Sequence, residues 1–283
     1  MSKNIGIIGN GFVGGATRQL ECKDIKLFIY DIDPNKCIPQ GLSLEDLTIC
    51  DFIFVCVPTP SNPDKSCHTF IVESVVNNIK RVNNHSYIII RSTVPPGTSS
   101  RLNCYFMPEF LTEKNYINDF INTKDWIIGA GIDNNINLEF ANSFQELLNI
   151  AHKNDCIKSN NLIVMSNTEA EIVKYTRNCF LSTKIAFFNE IYKMCNKLGV
   201  DYNNIRKGVV CDERIGESHT QIPGHDGKCG YGGTCFPKDT NALKMFYTEL
   251  LNYEPPVLTS VIYRNENIDR PEKDWMEDKR AHL

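Results

Sequence analysis

No run of apolar residues in this 283-residue sequence approaches the roughly 20 that a helix needs to cross a bilayer. The longest runs, 52–57 and 87–90, have the length of buried strands. The N-terminus leads directly into a strand-like pattern without the apolar segment of a secretory signal. We therefore expect a cytoplasmic protein with no membrane partner.

The sequence also lacks a large excess of charge of either sign. Its formal net charge is -4, so no broad basic surface favours a nucleic-acid partner. Apolar residues make up 42% and charged residues 23%, the balance of a globular protein. The length favours two domains, and we find no internal repeat.

No C-x-x-C pair occurs among the twelve cysteines, which are scattered along the chain. A reducing compartment would keep them as thiols, so a disulfide framework is not expected. We interpret most of them as small core residues and single out Cys235 below.

Short β-rich runs alternate with helix-like stretches up to Ser166, which predicts βαβ units and a mainly parallel sheet. Several runs are continuously apolar, as expected for strands covered by helices on both faces. We predict an α/β fold with a Rossmann-type doubly wound sheet in residues 1–166. The expected strands are 5–8, 26–30, 52–57, 87–90, 126–128 and 162–165.

Residues 167–283 are predicted to form an all-helical central domain with one long helix. Thr168 and Glu171 have capping-box spacing, and an apolar pattern of helical period runs from there to Gly199, a C-cap residue. Such a helix of about thirty residues indicates a dimer interface, or alternatively a single-chain core. Further helices are expected at 240–251 and 257–264, and a polar tail at 270–283.

A glycine-rich turn, Gly-x-Gly-x-x-Gly, lies at Gly9, Gly11 and Gly14 between a strand and a helix. These glycines allow close approach to a pyrophosphate at the helix N-terminus. Asp31 ends the second strand, where its carboxylate can accept hydrogen bonds from an adenosine ribose and repel a 2′-phosphate. The pattern favours NAD; a flavin turn and a chance glycine loop are the alternatives, and Asp33 rivals Asp31.

Two further loops follow apolar strands and should line the cofactor or substrate cleft, because ligands of open α/β sheets bind at the carboxyl ends of strands. One contains Thr59 and Pro60. The other contains Thr93 and ends at Gly97.

Cys235 lies between a glycine-rich loop and the start of a helix, where the helix dipole and nearby Lys238 favour the thiolate. Packing is the alternative for any single cysteine. Lys174 and Asn178 are four residues apart on the long helix and could both address a developing alkoxide, or could simply be surface residues.

Glu109 and Glu113 are also four apart, and two close carboxylates can divide into acid and base roles. A solvated helix face is the alternative interpretation of this pair.

Seven ordered motifs together resemble the UDP-glucose 6-dehydrogenase family over residues 5 to 245. The most specific is Gly-Tyr-Gly-Gly-Thr-Cys-Phe-Pro-Lys-Asp at 230–239. The others are the glycine turn, Val-Pro-Thr-Pro, Ser-Thr-Val-Pro-Pro-Gly-Thr, Pro-Glu-Phe-Leu-x-Glu, Lys-x-x-x-Asn and Asp-x-Arg-Ile-Gly.

The resemblance implies oxidation of the C6 alcohol of UDP-glucose to UDP-glucuronate with two NAD, through a thiohemiacetal and a thioester on Cys235. Lys174 and Asn178 would stabilise oxyanions, Asp239 and Thr93 would hold water, and Glu113 would assist proton transfer. Arg214 matches an arginine that reaches the neighbouring subunit's substrate, which implies a homodimer.

The resemblance also assigns the remaining binding residues. The cofactor set is Gly9, Gly11, Phe12, Val13, Gly14, Asp31, Thr59, Pro60, Thr93, Glu113 and Lys238, and the substrate set is Glu109, Phe110, Leu111, Lys174, Asn178, Arg214, Tyr231, Gly232 and Gly233. No metal is expected, because His219, His225, Asp226 and Cys229 match no regular zinc spacing.

The sequence departs from the family in two places. It ends at Leu283, before the family's UDP-binding C-terminal domain, so the resemblance is to a short form. The segment 217–229 is longer and could cover the substrate. Alternatives are therefore a dehydrogenase of another nucleotide sugar such as a UDP-N-acetylhexosamine, a hydroxy-acid dehydrogenase, which needs no thiol, or a non-catalytic NAD-binding protein.

Overall fold

The computed structural model describes residues 2–82, 85–132 and 135–278, with the side chain of Ile132 left aside. The chain divides into two compact units. The first comprises Met1–Thr59 and His68–Lys174, and the second comprises Pro60–Cys67 and Tyr175–Leu283. The division into domains 1–166 and 167–283 remains a prediction. The compact units have other bounds, since the second one includes Pro60–Cys67.

A seven-stranded sheet forms the centre of the first unit. Its strands are β1 (Lys3–Ile8), β2 (Ile25–Tyr30), β3 (Phe52–Val55), β4 (Tyr87–Ile90), β5 (Tyr105–Phe106), β6 (Asp125–Gly129) and β9 (Asn161–Met165). The spatial order is β2-β1-β3-β4-β5-β6-β9, and each neighbouring pair is parallel except β5 with β6. This order confirms the predicted Rossmann-type sheet.

Both faces of the sheet are buried. Along β3, Phe52 and Phe54 belong to one apolar cluster, and Ile53 and Val55 belong to the other. A strand that must fill a core on each side needs an apolar residue at every position, which explains its unbroken apolar run.

Helices of the first unit are α1 (Phe12–Thr17), α2 (Phe70–Val82), α3 (Thr98–Arg101), α4 (Tyr116–Ile121) and α5 (Leu138–Lys153). Strand β7 (Gly131–Ile132) pairs antiparallel with β8 (Asn135–Ile136) in a separate two-stranded sheet. Strands β5, β7 and β8 were not predicted, because two residues are too few to give a periodic signal. The predicted strand 52–57 ends two residues early, at Val55.

The long helix α6 (Asn167–Leu198) has 32 residues, which confirms its predicted length, and Gly199 follows it with a φ of 70°. The predicted capping box was wrong. The box is formed by Ser166 and Glu169: the Ser166 hydroxyl accepts from the Glu169 backbone N–H at 3.3 Å, and Glu169 accepts from the Ser166 backbone N–H at 2.7 Å. Because Glu171 lies further inside the helix, its carboxylate is available for contacts elsewhere.

The second unit is helical in its described part. It continues from α6 through α7 (Tyr202–Val210), α8 (Phe236–Leu251) and α9 (Pro256–Arg264) to a π-helical turn, Asn265–Asp269, and a 3-10 turn, Asp274–Glu277. Helix α8 begins four residues before its predicted start, because Pro237 suits the first turn of a helix.

The predicted polar tail was wrong for residues 270–278. Arg270 and Trp275 are both buried, and Arg270 pairs with Asp274 and Asp226. Ion pairing orders a stretch that contains few apolar residues. The remainder of that predicted tail, 279–283, lies outside the described residues.

No helix within the described ranges is long and apolar enough to cross a membrane.

Candidate functional site

The glycine turn joins β1 to α1, as predicted. A Cβ built on Gly14 would lie 1.9 Å from the Gly9 carbonyl oxygen, so a side chain there would break the turn. Around Gly11, by contrast, no described atom lies within 4 Å of a built Cβ. The loop therefore has a tightly closed base and an open middle, which fits the approach of a dinucleotide pyrophosphate.

Asp31 follows β2 and holds this turn in place. Its Oδ2 accepts from the Asn10 backbone N–H at 2.7 Å, and its Oδ1 accepts from the Asp33 N–H at 2.9 Å. Asp33 caps the short turn Pro34–Lys36 through the Asn35 N–H. The Asp31 carboxylate, which is predicted to bind ribose, is thus held beside the glycine loop. The Asp33 carboxylate instead caps a neighbouring turn.

The residues predicted to line the cleft are divided between the units. Thr59 and Thr93 are buried in the first unit, and the Ser92 hydroxyl donates to the Val57 carbonyl at 2.6 Å, joining the two loops. Pro60 belongs to the second unit. Phe12 is exposed and Val13 is half-buried at the start of α1.

Lys174 forms a buried ion pair with Glu109 in the first unit. Its Nζ lies 2.6 Å from Glu109 Oε1 and also donates to the Glu109 carbonyl. Burial alone would raise the pKa of Glu109, but Lys174, the Leu111 N–H and Arg91 together hold it below its usual value. The structure therefore brings together a buried anion and a buried cation that were predicted separately.

Glu113, by contrast, is exposed, and neither Glu109 nor Glu113 lies in a helix. The alternative of a solvated helix face was therefore wrong. Phe110 lies under the Lys174 ammonium, 5.6 Å from ring centroid to Nζ, and Leu111 is half-buried. The motif containing these residues is an extended loop after β5.

A second buried carboxylate, Glu171, contacts the loop that follows Thr93. It accepts from the Ser99 hydroxyl at 2.6 Å, from the Ser99 N–H at 2.8 Å and from the Gly97 N–H at 2.5 Å. Burial raises the pKa of Glu171 to about 7, with these neutral donors opposing the shift.

Cys235 occupies the N-cap position of α8 and is half-buried, as its sequence position predicted. Its Sγ lies 3.8 Å from the Thr234 hydroxyl. Cys235 therefore lies at the positive end of the dipole of a sixteen-residue helix, although its side chain makes no cap hydrogen bond.

One turn into α8, Asp239 is the centre of a buried polar cluster. Its Oδ1 accepts from Lys238 Nζ at 2.7 Å, and its Oδ2 accepts from the Asn178 amide at 2.6 Å. Burial alone would lower the pKa of Lys238, but the neighbouring Asp239 carboxylate raises it overall. Asp239 therefore contacts two other residues that were predicted to belong to the site, Lys238 and Asn178, within the second unit.

The loop 230–235 that leads to Cys235 is held by several side chains. The Gly230 N–H donates to Asn189 at 3.1 Å, and the Tyr231 N–H donates to Asn265 at 2.7 Å. Tyr231 is buried, Gly232 is half-buried and Gly233 is exposed with a φ of 73°.

Arg214 lies on the surface of the second unit, with 89% of its side chain exposed. Its Nε donates to Asp212 Oδ1 at 2.9 Å. Of the four residues considered as metal ligands, His219 lies with its ring centroid 5.6 Å from that of Phe236. Across the three described ranges, no group of three or more His, Cys, Asp or Glu residues could hold a metal.

Sequence reasoning missed Arg91, Asn265 and Arg270. The Arg91 guanidinium is buried in the first unit, donates to Thr17 Oγ1 at 2.5 Å and lies 5.4 Å from the Phe120 ring centroid. Arg91 directly follows the apolar strand β4 and precedes Ser92, and this position at the carboxyl end of a strand could have identified it. Asn265 and Arg270 gave no signal, since both follow a helix in polar sequence.

Comparison with known proteins locates the chain within one family. Residues 42–147 match the NAD binding domain of the UDP-glucose/GDP-mannose dehydrogenase family, and residues 168–267 match its central domain. A UDP-glucose 6-dehydrogenase of Rickettsia bellii is 30% identical over 322 residues, covering 99% of this chain and 70% of the relative.

Two further relatives agree. A putative UDP-glucose 6-dehydrogenase of Bacillus subtilis is 31% identical over 232 residues, covering 77% of this chain and 50% of the relative. The structure of a UDP-glucose dehydrogenase from Pyrobaculum islandicum superposes with a TM-score of 0.78 at 27% identity, covering 94% of this chain and 68% of that one. The chain thus belongs to the UDP-glucose/GDP-mannose dehydrogenase family of NAD-dependent oxidoreductases.

Proposed function

We propose that this chain catalyses the four-electron oxidation of the C6 alcohol of UDP-glucose to UDP-glucuronate, with Cys235 as the covalent nucleophile. The observation that carries the proposal is the half-buried thiol at the N-cap of α8, one turn before a buried Lys238–Asp239–Asn178 cluster. Relatives named UDP-glucose 6-dehydrogenase support the choice of substrate.

The first unit binds NAD in this proposal. Two NAD molecules, held there one after the other, would supply the hydride acceptor for the two oxidations. The open middle of the glycine turn at Gly11 leaves room for the pyrophosphate, and the Asp31 carboxylate accepts the ribose hydroxyls. The same anion repels the extra phosphate of NADP.

The first oxidation removes a hydride from C6 and the proton of its hydroxyl, leaving an aldehyde. The Cys235 sulfur then forms a bond to C6 and the thiol proton passes to the aldehyde oxygen, which becomes the hydroxyl of a thiohemiacetal. Lys174 and Asn178, one turn apart on α6, are the donors we assign to the developing negative charge on oxygen. Covalent capture keeps the reactive aldehyde from leaving or hydrating.

The second oxidation removes a hydride from C6 and the hydroxyl proton, which converts the thiohemiacetal into a thioester. Water adds to the thioester carbonyl, the C–S bond breaks and the carboxylate leaves, returning the thiol. Asp239 and Thr93 are assigned to hold this water, and Glu113 to accept a proton from it. The Glu109 carboxylate, 2.6 Å from Lys174 Nζ, holds that ammonium in place.

We further propose a cytoplasmic homodimer. The exposed apolar residues Phe180, Phe187 and Met194 recur every seven residues on α6, which fits a helix interface between copies. Arg214, exposed and forked, is suited to a diphosphate of the neighbouring subunit.

The substrate is tested by incubating the purified protein and NAD with UDP-glucose, UDP-N-acetylhexosamines, GDP-mannose and small hydroxy acids, and following NADH absorbance. We expect oxidation of UDP-glucose at the highest kcat/KM. A higher kcat/KM for another nucleotide sugar would replace the substrate but keep the mechanism. A hydroxy acid as best substrate, or no oxidation at all, would overturn the proposal.

A further inference from the structure

The π-helical turn Asn265–Asp269, which continues α9, contacts two loops of the second unit. One is the thiol loop, residues 230–235, which leads to Cys235. The other is the segment Pro60–Cys67, reached through an ion pair of 3.0 Å between Glu266 and Lys65. A π-helical turn is uncommon and occurs often at functional sites. Its contacts indicate an element that supports the loop leading to Cys235.

Asn265 is matched to the backbone of the thiol loop. Its Oδ1 accepts from the Tyr231 N–H at 2.7 Å, and its Nδ2 donates to the Tyr231 carbonyl at 2.9 Å. Asn265 is buried, so neither bond is replaced by water at low cost. A side chain that pairs with both polar groups of one residue fixes the position and the orientation of that residue.

Arg270 supports the next residue of the loop. A Cβ built on Gly232 would lie 2.6 Å from Arg270 Cζ and 2.8 Å from its Nη2, so the guanidinium lies directly against the glycine. Two carboxylates hold that guanidinium: Asp274 accepts from Nε and Nη2 at 2.7 Å each, and Asp226 accepts from Nη1 at 2.8 Å. Three anchored nitrogens leave the guanidinium little freedom to move.

We propose that Asn265 and Arg270 are positioning residues that fix the place and orientation of the thiol loop. By fixing the loop they also fix the position of the Cys235 sulfur. The inference rests on the proposed function. Neither residue is assigned a contact with the reacting atoms. Their effect on the reaction follows from geometry, because a displacement of about 1 Å at a reacting atom can reduce a rate by about a hundredfold.

The test compares Asn265→Asp with Asn267→Asp. Asn267 lies two residues further along the same turn, is exposed, and donates to the Tyr263 carbonyl at 2.8 Å. In Asn265→Asp the introduced carboxylate would face the Tyr231 carbonyl without a donor, whereas the change at position 267 leaves the thiol loop untouched. Arg270→Lys is the second variant, since lysine keeps the charge but not the fork that pairs with Asp274 and Asp226.

Two readouts are measured on the full chain. One is kcat and KM with the best nucleotide sugar. The other is the alkylation rate of the Cys235 peptide by iodoacetamide, followed by mass spectrometry and needing no substrate. For Asn265→Asp and Arg270→Lys we expect kcat to fall about ten- to a hundredfold with little change in KM, and the alkylation rate to change at least about threefold. Asn267→Asp should match wild type.

Wild-type kcat and alkylation rate in Arg270→Lys and in folded Asn265→Asp would overturn the proposal, as would equal losses in Asn267→Asp. If Asn265→Asp does not fold, Arg270→Lys alone decides. An inactive wild type whose alkylation rate still responds to these variants would sink the proposed function while leaving the positioning role intact.

Discussion

A buried lysine–carboxylate pair lies in each compact unit, and the two pairs are built differently. In the first unit, Lys174 pairs with Glu109, 65 residues away, at 2.6 Å. In the second, Lys238 pairs with its neighbour Asp239 at 2.7 Å, and Asp239 also binds Asn178. The first pair joins an extended loop to α6, whereas the second lies within α8, and the hydrogen bond from Asn178 to Asp239 joins α8 to α6. The same kind of ion pair therefore connects distant segments in the first unit, whereas in the second unit it lies next to the helix start that carries Cys235.

Glu171 shows what the lysine contributes. It is as deeply buried as Asp239, but Gly97 and Ser99 give it only neutral donors, and its pKa rises to about 7. Beside Lys174, the pKa of Glu109 falls instead. A nearby cation therefore decides whether a buried carboxyl stays charged near neutral pH.

We expect the largest effect from Cys235→Ser, which tests whether turnover and NAD binding depend on different units. Cys235→Ser removes the nucleophile of the second unit, so steady-state turnover should fall at least about a thousandfold, with the reaction arrested after the first oxidation. The dissociation constant of NAD, measured by fluorescence titration, should change little, because the glycine turn and Asp31, which are predicted to bind the pyrophosphate and the ribose, lie in the first unit. An unimpaired serine variant would refute covalent catalysis.

The next effect tests the two pairs directly. Lys174→Met should lower the free energy of unfolding by about 3 to 5 kcal/mol, because it leaves a buried carboxylate without its cation. Adding Glu109→Gln should recover much of that loss, since both charges are then gone. The same cycle with Lys238→Met and Asp239→Asn provides the comparison, measured by urea unfolding. Additive losses in either cycle would show that the pair is not energetically coupled.

Glu171 sharpens the comparison through pH. Its folded-state pKa, about 7, lies above the ordinary value of 4.5, so its contribution to stability is full below pH 4.5 and lost as pH rises to 7. Relative to Glu171→Gln, the free energy of unfolding of the wild type should fall by about 1.4 kcal/mol per pH unit in that window.

Exposed Glu169, two residues earlier on the same helix, provides the matched control variant Glu169→Gln for this measurement. Ser166 holds the pKa of Glu169 below its usual value, so its contribution to stability is lost as pH falls, the opposite direction. Parallel pH profiles for wild type and Glu171→Gln would contradict a raised pKa at Glu171.

The smallest effect concerns cofactor affinity. Asp31→Asn should weaken NAD binding about tenfold by replacing a charged acceptor, without changing the alkylation of Cys235. Asp33→Asn, which alters only the cap of a short turn, should leave the NAD dissociation constant near the wild-type value. A larger loss in Asp33→Asn would exchange the assignments of the two carboxylates.

Much of the first unit could be predicted from sequence, because strands buried on both faces leave continuous apolar runs. The long helix was equally visible through its apolar period and Gly199. Strand β5 could not be found, since two residues have no period. The ordered segment that begins at Arg270 was missed because Arg270 pairs with Asp226, 44 residues away, and sequence spacing does not reveal such partners.

Within the candidate site, the motifs located Lys174, Glu109, Asn178 and Asp239 but not their pairing. Pairing depends on how distant segments meet in space. Glu109 and Lys174 are separated by 65 positions in the sequence, so no local pattern reveals their contact. Asn265 was missed for the same reason. Its side chain binds a backbone 34 residues away, and an asparagine after a helix has many ordinary explanations.

In the proposed mechanism, the Cys235 sulfur captures the aldehyde that the first oxidation forms, so that a second oxidation can follow. The most direct measurement is the amount of NADH formed from a limiting, known amount of UDP-glucose taken to completion. We predict two NADH for each sugar consumed. A ratio of one would contradict the account.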